Sequence, residues 1–302
     1  MSDGGVSACG IPAWFSQALA VTPRQRTVLV RDCPINYLSW GDAARPPLLL
    51  VHGGLAHAMW WSALAPQLAR DYFIIAPDLS GHGDSGRREP YSLESWADDV
   101  MAVCADADLG AAPVLVGHSL GGQIGIVAGA RYGAQLAGVV IVDAPVSKPD
   151  PESRPSQRVA PLHSYPDLAS GMARFRLIPE QPCENGFFLD HIARHSLRRH
   201  AAGWSWKFDP RIMARVMPVS LDRDLAAMRC RVAMMRGELS AIVPPEIGDY
   251  MYELLERSAP LVEIPQAGHH LMVDQPLAFL AALRAILAGW EHSLPRQRQV
   301  KS

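Results

Sequence analysis

The chain has 302 residues, of which 49% are hydrophobic and 19% are charged, and its formal net charge is -2. Such a composition is ordinary for a globular protein, and the length suffices for one large core with an inserted subdomain. A charge so close to zero argues against nucleic acid or an anionic membrane as the main partner. The sequence has no apolar run of about 18 residues, which argues against a membrane-spanning segment.

The N-terminus predicts a protein of the cytoplasm, and the cysteines predict neither disulfides nor a zinc site. Asp3 and the lack of a basic stretch before the apolar residues 11–20 make a poor secretory signal. The cysteines are odd in number, widely scattered and without C-x-x-C spacing, which argues against a disulfide framework and against a zinc site. They stand at Cys9, Cys33, Cys104, Cys183 and Cys230. We expect most of them to be buried as small apolar residues.

Strands and helices alternate through the first half of the chain. Residues 1–25 have no clear hydrophobic period and are expected to form a loosely attached segment. The core, residues 26–144, begins with a β-hairpin and continues with apolar strands that predict a parallel sheet buried on both faces. The predicted strands are 26–31, 35–40, 48–51, 73–76, 114–116 and 138–142, and the predicted helices are about 60–70, 93–109 and 119–131.

An apolar run at residues 114–116 leads into Gly117-His118-Ser119-Leu120-Gly121. This fits G-x-S-x-G, the nucleophile elbow, in which a buried strand ends, a serine takes a strained conformation and a helix begins at once. Glycines flank the serine because a Cβ would collide in so tight a turn. Gly121, Gly125 and Gly129 share one helix face, which predicts close packing of the helix on its sheet. The helix N-terminus would also lie under a reacting oxyanion.

The alternation of strand and helix stops after Pro145 and resumes at about residue 223. Between these points prolines cluster and short amphipathic pieces follow, such as residues 187–200. We predict that residues 145–222 are an insertion over the core, that residues 223–290 complete the core, and that the polar, basic tail 291–302 is disordered. The predicted elements of the second half are strands 231–235 and 261–264 and helices of about 245–257 and 275–288.

Several motifs, in this order, resemble those of serine-dependent, cap-bearing α/β-hydrolases. They are His52-Gly53-Gly54 after the third strand, Pro77-Asp78 through Gly81-His82-Gly83-Asp84-Ser85-Gly86 after the fourth, the Ser119 elbow, and Gly268-His269 near the C-terminus. The resemblance covers residues 26–290. It implies an α/β fold with a mostly parallel eight-stranded sheet, helices on both faces and an inserted, largely helical cap.

The resemblance assigns catalytic roles in the chain order serine, acid, histidine. Ser119 is the expected nucleophile, and His269 the expected base, because Gly268 precedes it as in the family's histidine loop; His270 is its alternative. Ser85 is a second serine candidate, but no strand-to-helix turn precedes it, so we predict a loop residue. Three further histidines are expected to shape loops and the elbow: His52, His82 and His118.

The acid is less certain from sequence, because the family's usual position, the fourth of a G-x-x-D pattern, holds Ser240 here. Serine cannot supply an anion to an imidazolium. Asp143 ends the sixth strand, where some relatives such as the haloalkane dehalogenases carry this acid, and Glu238 lies in the usual loop two residues early. We favour Asp143 and leave Glu238 open. By the same analogy, the oxyanion N–H groups belong to Leu120 and to Gly54, or to Leu55 in its place.

Aromatic side chains in the insertion would favour an apolar acyl or alcohol group, or would only pack the cap onto the core. They are Phe175, Phe187, Phe188, Trp204, Trp206 and Phe208, with Trp60 and Trp61 near the oxyanion loop. His191 and His195 share a helix face, but no Glu follows His191, so the H-E-x-x-H zinc motif is absent. Arg194, Arg198 and Arg199 lie nearby in the sequence. We therefore expect a solvated basic face, or one that meets a substrate carboxylate, and we expect no metal.

The sequence therefore predicts a cytoplasmic, cofactor-free serine hydrolase that cleaves a small to medium carboxylic ester through an acyl-enzyme. No nucleic-acid or membrane partner is expected, and the oligomeric state stays open. A carbon-carbon bond hydrolase, a lactonase or a thioesterase is possible on the same fold. Two alternatives come from other classes. One is a cofactor-independent lyase or oxygenase that uses His269 as a base. The other is a non-catalytic binding module, which is suggested by Ser240 at the position where the acid is expected.

Overall fold

An eight-stranded sheet forms the centre of the protein. The computed structural model describes residues 10–147, 162–212 and 220–292. The strands are β1 (Arg24–Val30), β2 (Cys33–Trp40), β3 (Pro47–Val51), β4 (Phe73–Pro77), β5 (Val114–His118), β6 (Gly138–Val142), β7 (Leu197–His200), β8 (Gly203–Trp206), β9 (Arg231–Gly237) and β10 (Leu261–Ile264). The order in the large sheet is β1-β2-β4-β3-β5-β6-β9-β10, while β7 and β8 form a separate pair. Strand β2 is antiparallel to β1 and to β4, and the other neighbours are parallel, which confirms the predicted sheet.

Helices cover both faces of this sheet, as predicted. Those of the described residues are α1 (Ala13–Leu19), α2 (Ala65–Leu68), α3 (Leu93–Asp106), α4 (Leu120–Tyr132), α5 (Leu168–Met172), α6 (Gly186–His195), α7 (Asp222–Ala227), α8 (Pro245–Leu254), α9 (Leu271–Asp274) and α10 (Pro276–Glu291). Leu49 and Val51 of β3 pack with α3 and α4, whereas Leu48 and Leu50 pack with α2 and α10. Successive side chains of a strand point to opposite faces, so the protein has a core on each side of the sheet.

Membrane crossing requires a helix that is both long and strongly apolar. None of the helices in the described ranges meets both conditions.

The helix predicted over residues 60–70 is divided in two. A 3-10 turn at Ala58–Trp61 comes first, and the single turn of α2 follows. Pro66 lies in the first turn of α2. A proline inside a longer helix would clash with the carbonyl group four residues earlier, so a continuous helix through this point is disfavoured.

Helix α4 packs very closely on its neighbours because Gly125 faces two strands of the sheet and Gly129 faces Met228, at the end of α7. A Cβ on Gly125 would lie 2.9 Å from Leu115 Cδ2 and 3.0 Å from Val139 Cγ1. A Cβ on Gly129 would lie 2.3 Å from Met228 Cε. This close approach explains why α4 tolerates residues of low helix propensity.

Helix α1 corrects the expectation of a loosely attached N-terminal segment. Phe15 and Ala18 are buried. The Phe15 ring lies 4.8 Å from the ring of Phe187 and 5.1 Å from that of Phe188, both in α6. The expectation is wrong for Ala13–Leu19, since a helix of seven residues with two buried positions is too short to show a clear hydrophobic period.

The insertion between β6 and β9 holds α5, α6 and the β7–β8 hairpin. The amphipathic piece 187–200 is helical only to His195, after which β7 pairs antiparallel with β8. Gly203 has a φ of 125°, a conformation that favours glycine and begins the return strand. The described insertion is therefore less helical than predicted. The prolines at 149, 151, 155 and 161 lie outside the described residues.

Candidate active site

Ser119 occupies a sharp turn between β5 and α4. Its φ of 52° and ψ of -119° lie outside the regions that non-glycine residues normally adopt, and its N–H donates to the carbonyl of Val142 at 2.9 Å. A Cβ on Gly117 would lie 2.2 Å from the Gly121 carbonyl oxygen, and a Cβ on Gly121 would lie 2.4 Å from that of Val51. The strand, strained turn and helix of the G-x-S-x-G motif are thus all present, and stored strain of this kind is typical of functional sites.

His269 lies between Ser119 and Asp143. Its Nε2 is 3.0 Å from Ser119 Oγ, and its Nδ1 is 2.7 Å from Asp143 Oδ2. The His269 ring and the carboxylate are buried, while Ser119 is partly exposed. A nucleophile, a base and a carboxylate in hydrogen-bonded series are the geometric signature of nucleophilic catalysis.

Asp143 follows β6 directly and reaches across to the end of β9. Its N–H donates to the Met235 carbonyl at 2.8 Å. Its Oδ1 accepts from Gly237 N at 3.0 Å, and its Oδ2 accepts from Ser240 Oγ at 2.5 Å as well as from His269. Three donors thus satisfy a carboxylate that is only 1% exposed, and burial of a charge without such partners would be costly.

Glu238, the alternative acid, does not join this group. Its side chain is exposed, and its Oε2 accepts from the N–H of Gln266 at 2.8 Å. Ser85, the alternative serine, is a buried loop residue whose hydroxyl donates to the Asp78 carbonyl at 2.6 Å. The structure therefore brings together Ser119, His269 and Asp143 and leaves Glu238 and Ser85 in other contacts.

His118 supports the loop that carries His269. Its Nε2–H donates to the carbonyl oxygen of His269 at 2.9 Å, and the two rings lie 4.7 Å apart. Burial lowers the pKa of His118 well below its ordinary value, and His269 and His270 act in the same direction. The His118 ring therefore holds the backbone of His269, in keeping with the structural role expected for His118.

His52 and Asp78 fix the loop that follows β3. His52 donates from Nδ1 to the Gly53 carbonyl at 2.7 Å and accepts at Nε2 from Leu79 N at 3.1 Å. Asp78 accepts from Ala58 N at 2.7 Å. Burial raises the pKa of Asp78, and its hydrogen bonds oppose that rise. These contacts tie the His52 loop to the loop after β4.

The loop that carries Gly54 and the turn that carries Ser119 and Leu120 lie side by side. Both are proposed to supply N–H donors to the oxyanion. A Cβ on Gly53 would be 3.2 Å from Ser119 Cβ, so the chain that carries Gly54 passes directly beside the serine. Leu55 has a φ of 61°, which turns the backbone sharply at this point. Leu120 is the first residue of α4, where backbone N–H groups lack helical partners. The assignment of donors to Gly54, Leu55 or Leu120 stays a prediction.

A line of aromatic rings leads away from the histidine loop. His270 lies 5.4 Å from Trp60, Trp60 lies 6.4 Å from Phe175, and Phe175 lies 6.3 Å from Trp206, as ring-centroid distances. The other expected aromatic residues have different neighbours. Phe187 and Phe188 pack on Phe15, Trp61 packs on Phe279, Trp204 forms a β-bridge with Tyr165, and Phe208 forms one with His82.

His191 and His195 of α6 lie apart from the catalytic group. His191 Nε2 donates to Ser62 Oγ at 2.7 Å, and His195 Nδ1 donates to the His191 carbonyl at 2.9 Å. Burial lowers the pKa of His191 to about 4, with His195 and Arg194 acting in the same direction. The bond to Ser62 attaches α6 to the end of the 3-10 turn at Ala58–Trp61.

In the part of the chain that the structure describes, the closest set of possible metal ligands is His118, His269 and His270, with one ligand atom each within 4.8 Å of the others. The His118 ring already donates to the backbone, and both nitrogens of His269 contact Asp143 and Ser119. The set therefore overlaps the serine-histidine-aspartate group instead of forming a separate metal centre.

No sequence pattern indicates Gln181, but its side-chain amide makes hydrogen bonds that hold the loop carrying His269. Its Nε2 donates to Asp274 Oδ2 at 2.6 Å, and its Oε1 accepts from His270 N at 3.1 Å. The same Asp274 oxygen accepts from Gly268 N at 2.8 Å. The insertion thus holds the backbone on both sides of His269. Two side chains separated by 93 positions leave no local signal in sequence.

Together, the sheet and the hydrogen-bonded serine, histidine and aspartate define the α/β-hydrolase class of protein. A model of the alpha/beta hydrolase family matches residues 48–283. Because this match covers well over half of the chain, the protein belongs to the alpha/beta hydrolase family and is a hydrolase.

Some distant relatives match over most of the chain. An esterase of Mycobacterium tuberculosis is 28% identical over 261 residues, which cover 84% of this chain and 86% of the relative. A pimeloyl-[acyl-carrier protein] methyl ester esterase of Neisseria meningitidis is 26% identical over 266 residues, covering 83% and 96%. Among solved structures, that of an E-2-(acetamidomethylene)succinate hydrolase has a TM-score of 0.75 at 21% identity and covers 88% of this chain and 99% of its own. The thioesterase domain from the curacin biosynthetic pathway has a TM-score of 0.73 at 22% identity, with the same coverage.

Proposed function

We propose that the protein is a serine hydrolase that cleaves a small to medium carboxylic ester through an acyl-enzyme. Ser119 is the nucleophile, His269 the general base and Asp143 the acid. The observation that carries this proposal is the position of His269, 3.0 Å from Ser119 Oγ and 2.7 Å from Asp143 Oδ2. With Nδ1–H donated to the carboxylate, Nε2 keeps the lone pair that accepts the serine proton.

The reaction follows from this arrangement. His269 Nε2 removes the proton of Ser119 as the serine oxygen attacks the acyl carbon, and the imidazolium that forms is stabilised by Asp143. The same nitrogen then protonates the leaving alkoxide, which departs as an alcohol. Water, activated by His269, attacks the acyl-enzyme, releases the carboxylic acid and restores the free serine.

The oxyanion of each tetrahedral intermediate is assigned to the backbone N–H groups of Leu120 and Gly54. Leu120 begins α4, so its N–H is free of an intrahelical partner and lies at the positive end of the helix dipole. A Cβ on Gly53 would lie 3.2 Å from Ser119 Cβ, and this close approach supports the choice of Gly54, the next residue of the same loop. Donors fixed by backbone need no rearrangement as charge develops, which is why such groups stabilise the transition state efficiently.

Residues 145–222 are assigned to a cap over a core of residues 26–144 and 223–290. Described parts of the segment contact the histidine loop through Gln181 and the loop after β4 through Asp209, whose N–H donates to the Gly81 carbonyl at 2.7 Å. Phe175 and Trp206 of the same segment continue the ring series from Trp60, which supports an apolar group in the ester.

The names of the relatives also support an ester substrate. Two of them that align over more than four-fifths of this chain are described as esterases. The solved structures are below 25% identity and indicate the fold alone. We therefore assign a small-molecule ester and leave the acyl and alcohol groups to experiment.

Pre-steady-state kinetics on p-nitrophenyl acetate and butyrate tests the proposal. We expect a burst of nitrophenol equal to the enzyme concentration, followed by slower turnover, because acylation and hydrolysis are separate steps. Ser119→Ala should remove the burst and reduce kcat by at least 10³-fold. The matched control is Ser164→Ala, since Ser164 is exposed and its hydroxyl donates to the Ala202 carbonyl, away from Ser119 and His269.

Two outcomes would contradict the proposal. Turnover that is unchanged in Ser119→Ala would exclude an acyl-enzyme at this serine. Activity that is lost in His269→Gln but retained in Ser119→Ala would instead favour the lyase or oxygenase alternative, in which the histidine acts as a base without a covalent intermediate.

A further inference from the structure

His270 is a buried side chain whose hydrogen-bonding groups are unused. It is 4% exposed, and neither Nδ1 nor Nε2 makes a hydrogen bond of ordinary geometry, although the Ile178 backbone lies close enough to favour the protonated ring. Buried polar groups in native proteins almost always find a partner, so each exception calls for a physical reason. Neither ring nitrogen takes part in the catalytic arrangement proposed above.

Other buried histidines in the described ranges have at least one bonded ring nitrogen. His52 and His118 bond backbone groups, and His57 donates from Nε2 to Ser196 Oγ at 2.9 Å. These rings hold loops together. His270 contributes nothing comparable through its ring, although its backbone N–H donates to Gln181.

The His270 ring lies between His269 and Trp60. Its ring centroid is 4.8 Å from that of His269, and one of its nitrogens lies within 4.8 Å of a nitrogen of His269. On its other side it contacts Trp60, the first ring of the series that continues to Phe175. The indole nitrogen of Trp60 is also buried without a partner. The unpaired ring nitrogens of His270 and Trp60 therefore lie near His269, at the start of the series of aromatic rings.

The charge of His270 limits what it can bind. Burial lowers the pKa of His270 to about 3, with His269 acting in the same direction and the Ile178 backbone opposing. A neutral imidazole offers one N–H donor and one lone pair. A hydroxyl group is complementary to that pair, whereas a carboxylate would be buried against an uncharged ring and left without a countercharge.

We propose that the His270 imidazole binds an uncharged hydroxyl group that the substrate carries close to the scissile ester, so that the substrate class is a hydroxylated carboxylic ester. This assignment rests on the proposed esterase function. The hydroxyl belongs either to the acyl group or to the alcohol group, since both flank the scissile bond.

A set of matched esters tests the assignment. Ethyl butyrate is the parent, ethyl 3-hydroxybutyrate adds the hydroxyl to the acyl group, 2-hydroxyethyl butyrate adds it to the alcohol group, and monoethyl succinate adds a carboxylate. Each kcat/KM is divided by the rate of alkaline hydrolysis of the same ester to remove differences in intrinsic reactivity. We expect one of the hydroxylated esters to exceed the parent by about tenfold, as a site built around a hydroxyl disfavours an analogue that lacks it.

Variants at position 270 connect this preference to the imidazole. In His270→Phe, which keeps an aromatic ring on Trp60, the ratio of hydroxylated ester to parent should fall to about one. His270→Gln restores a donor and an acceptor and should recover part of the ratio. His163→Phe is the matched control, since His163 is exposed, and it should leave the ratio unchanged. Thermal melting checks that each variant is folded.

The outcomes separate this inference from the function on which it rests. If no ester is hydrolysed and no burst is seen, the proposed function fails. If esters are hydrolysed with a burst but both hydroxylated esters match the parent, or if monoethyl succinate is preferred, the assignment to His270 is overturned and the esterase stands. A hydroxyl preference that persists in folded His270→Phe would likewise overturn it.

Discussion

The hydroxyl of Ser240 donates a 2.5 Å hydrogen bond to Oδ2 of Asp143, the same oxygen that contacts His269 Nδ1. Ser240 occupies the position at which similar enzymes carry the acid itself. The Ser240 oxygen accepts from two backbone N–H groups of its own loop, at 3.1 and 3.2 Å, so its proton is directed at the carboxylate. The side chain in the usual acid position therefore supports a carboxylate that comes from the neighbouring strand.

The identity of the acid is tested by removing each candidate carboxylate. Asp143→Asn keeps the shape of the side chain but cannot hold the productive histidine tautomer, so we expect kcat to fall by up to about 10⁴-fold. Glu238→Gln should change kcat by less than about twofold, because Glu238 is exposed and contacts Gln266. Small and equal losses in steady-state assays of both variants would mean that neither carboxylate serves.

Exchange of the two side chains should move the acid back to the usual loop. Asp143→Ser alone is expected to lose activity, and Asp143→Ser combined with Ser240→Asp should recover at least about tenfold in kcat, since the two positions are within hydrogen-bond distance. Ser240→Asp alone places two carboxylates in one site, which forces one of them to stay protonated and shifts the pH profile. A double variant no better than Asp143→Ser would show that the loop cannot present an acid.

Gln181 is expected to act on the rate by holding the backbone beside His269. Gln181→Ala removes the bonds to Asp274 and to His270 N, so kcat should fall by about tenfold while KM changes little. Gln181→Glu should be worse at neutral pH, because a carboxylate then faces Asp274. The control is Gln17→Ala on the exposed side of α1. An effect confined to KM would contradict a positioning role.

Asp99 should make stability depend on pH. Burial raises its pKa from 3.8 to about 6, although Arg88 pairs with it at 2.5 Å and opposes the shift. Asp99 of the folded protein then binds its proton more tightly than Asp99 of the unfolded chain. The stabilisation that comes from protonated Asp99 is therefore fully present below about pH 4 and is lost as pH rises through 6.

Chemical denaturation of the wild type and Asp99→Asn at pH 4 and pH 7.5 measures this contribution. The free energy of unfolding of the wild type relative to the variant should fall by about 2 kcal/mol between these values. A difference that stays constant, or that grows with pH, would contradict the assignment to Asp99.

The parts of the site that are local in sequence could be predicted. Ser119 lies in a five-residue motif whose strand, turn and helix are adjacent in sequence. The regularly spaced glycines of α4 predict that this helix packs closely on its neighbours. His269 was identified by its neighbour Gly268. Asp143 could be favoured over Glu238 only by analogy with some relatives, because the usual position holds Ser240 and nothing local in sequence shows that the side chains of Ser240 and Asp143 meet.

Other features depend on contacts between distant parts of the chain. The support of Asp143 by Ser240 joins residues 97 positions apart, and the bond from Gln181 to Asp274 joins residues 93 positions apart. Helix α1 is too short for its period to be seen, and its burial depends on α6. Residues 197–200 continue the amphipathic piece 187–200 in sequence, and only their pairing with Gly203–Trp206 makes them a strand.

The central claim, that Ser119 is a nucleophile activated by His269, is tested most directly by covalent labelling. The protein is treated with a fluorophosphonate and digested, and the modified peptide is located by mass spectrometry. We predict one adduct per chain, on Ser119, with labelling at least 10²-fold slower in His269→Gln and absent in Ser119→Ala. A folded protein that stays unlabelled, or that is labelled at another residue with equal loss of esterase activity, would contradict the account.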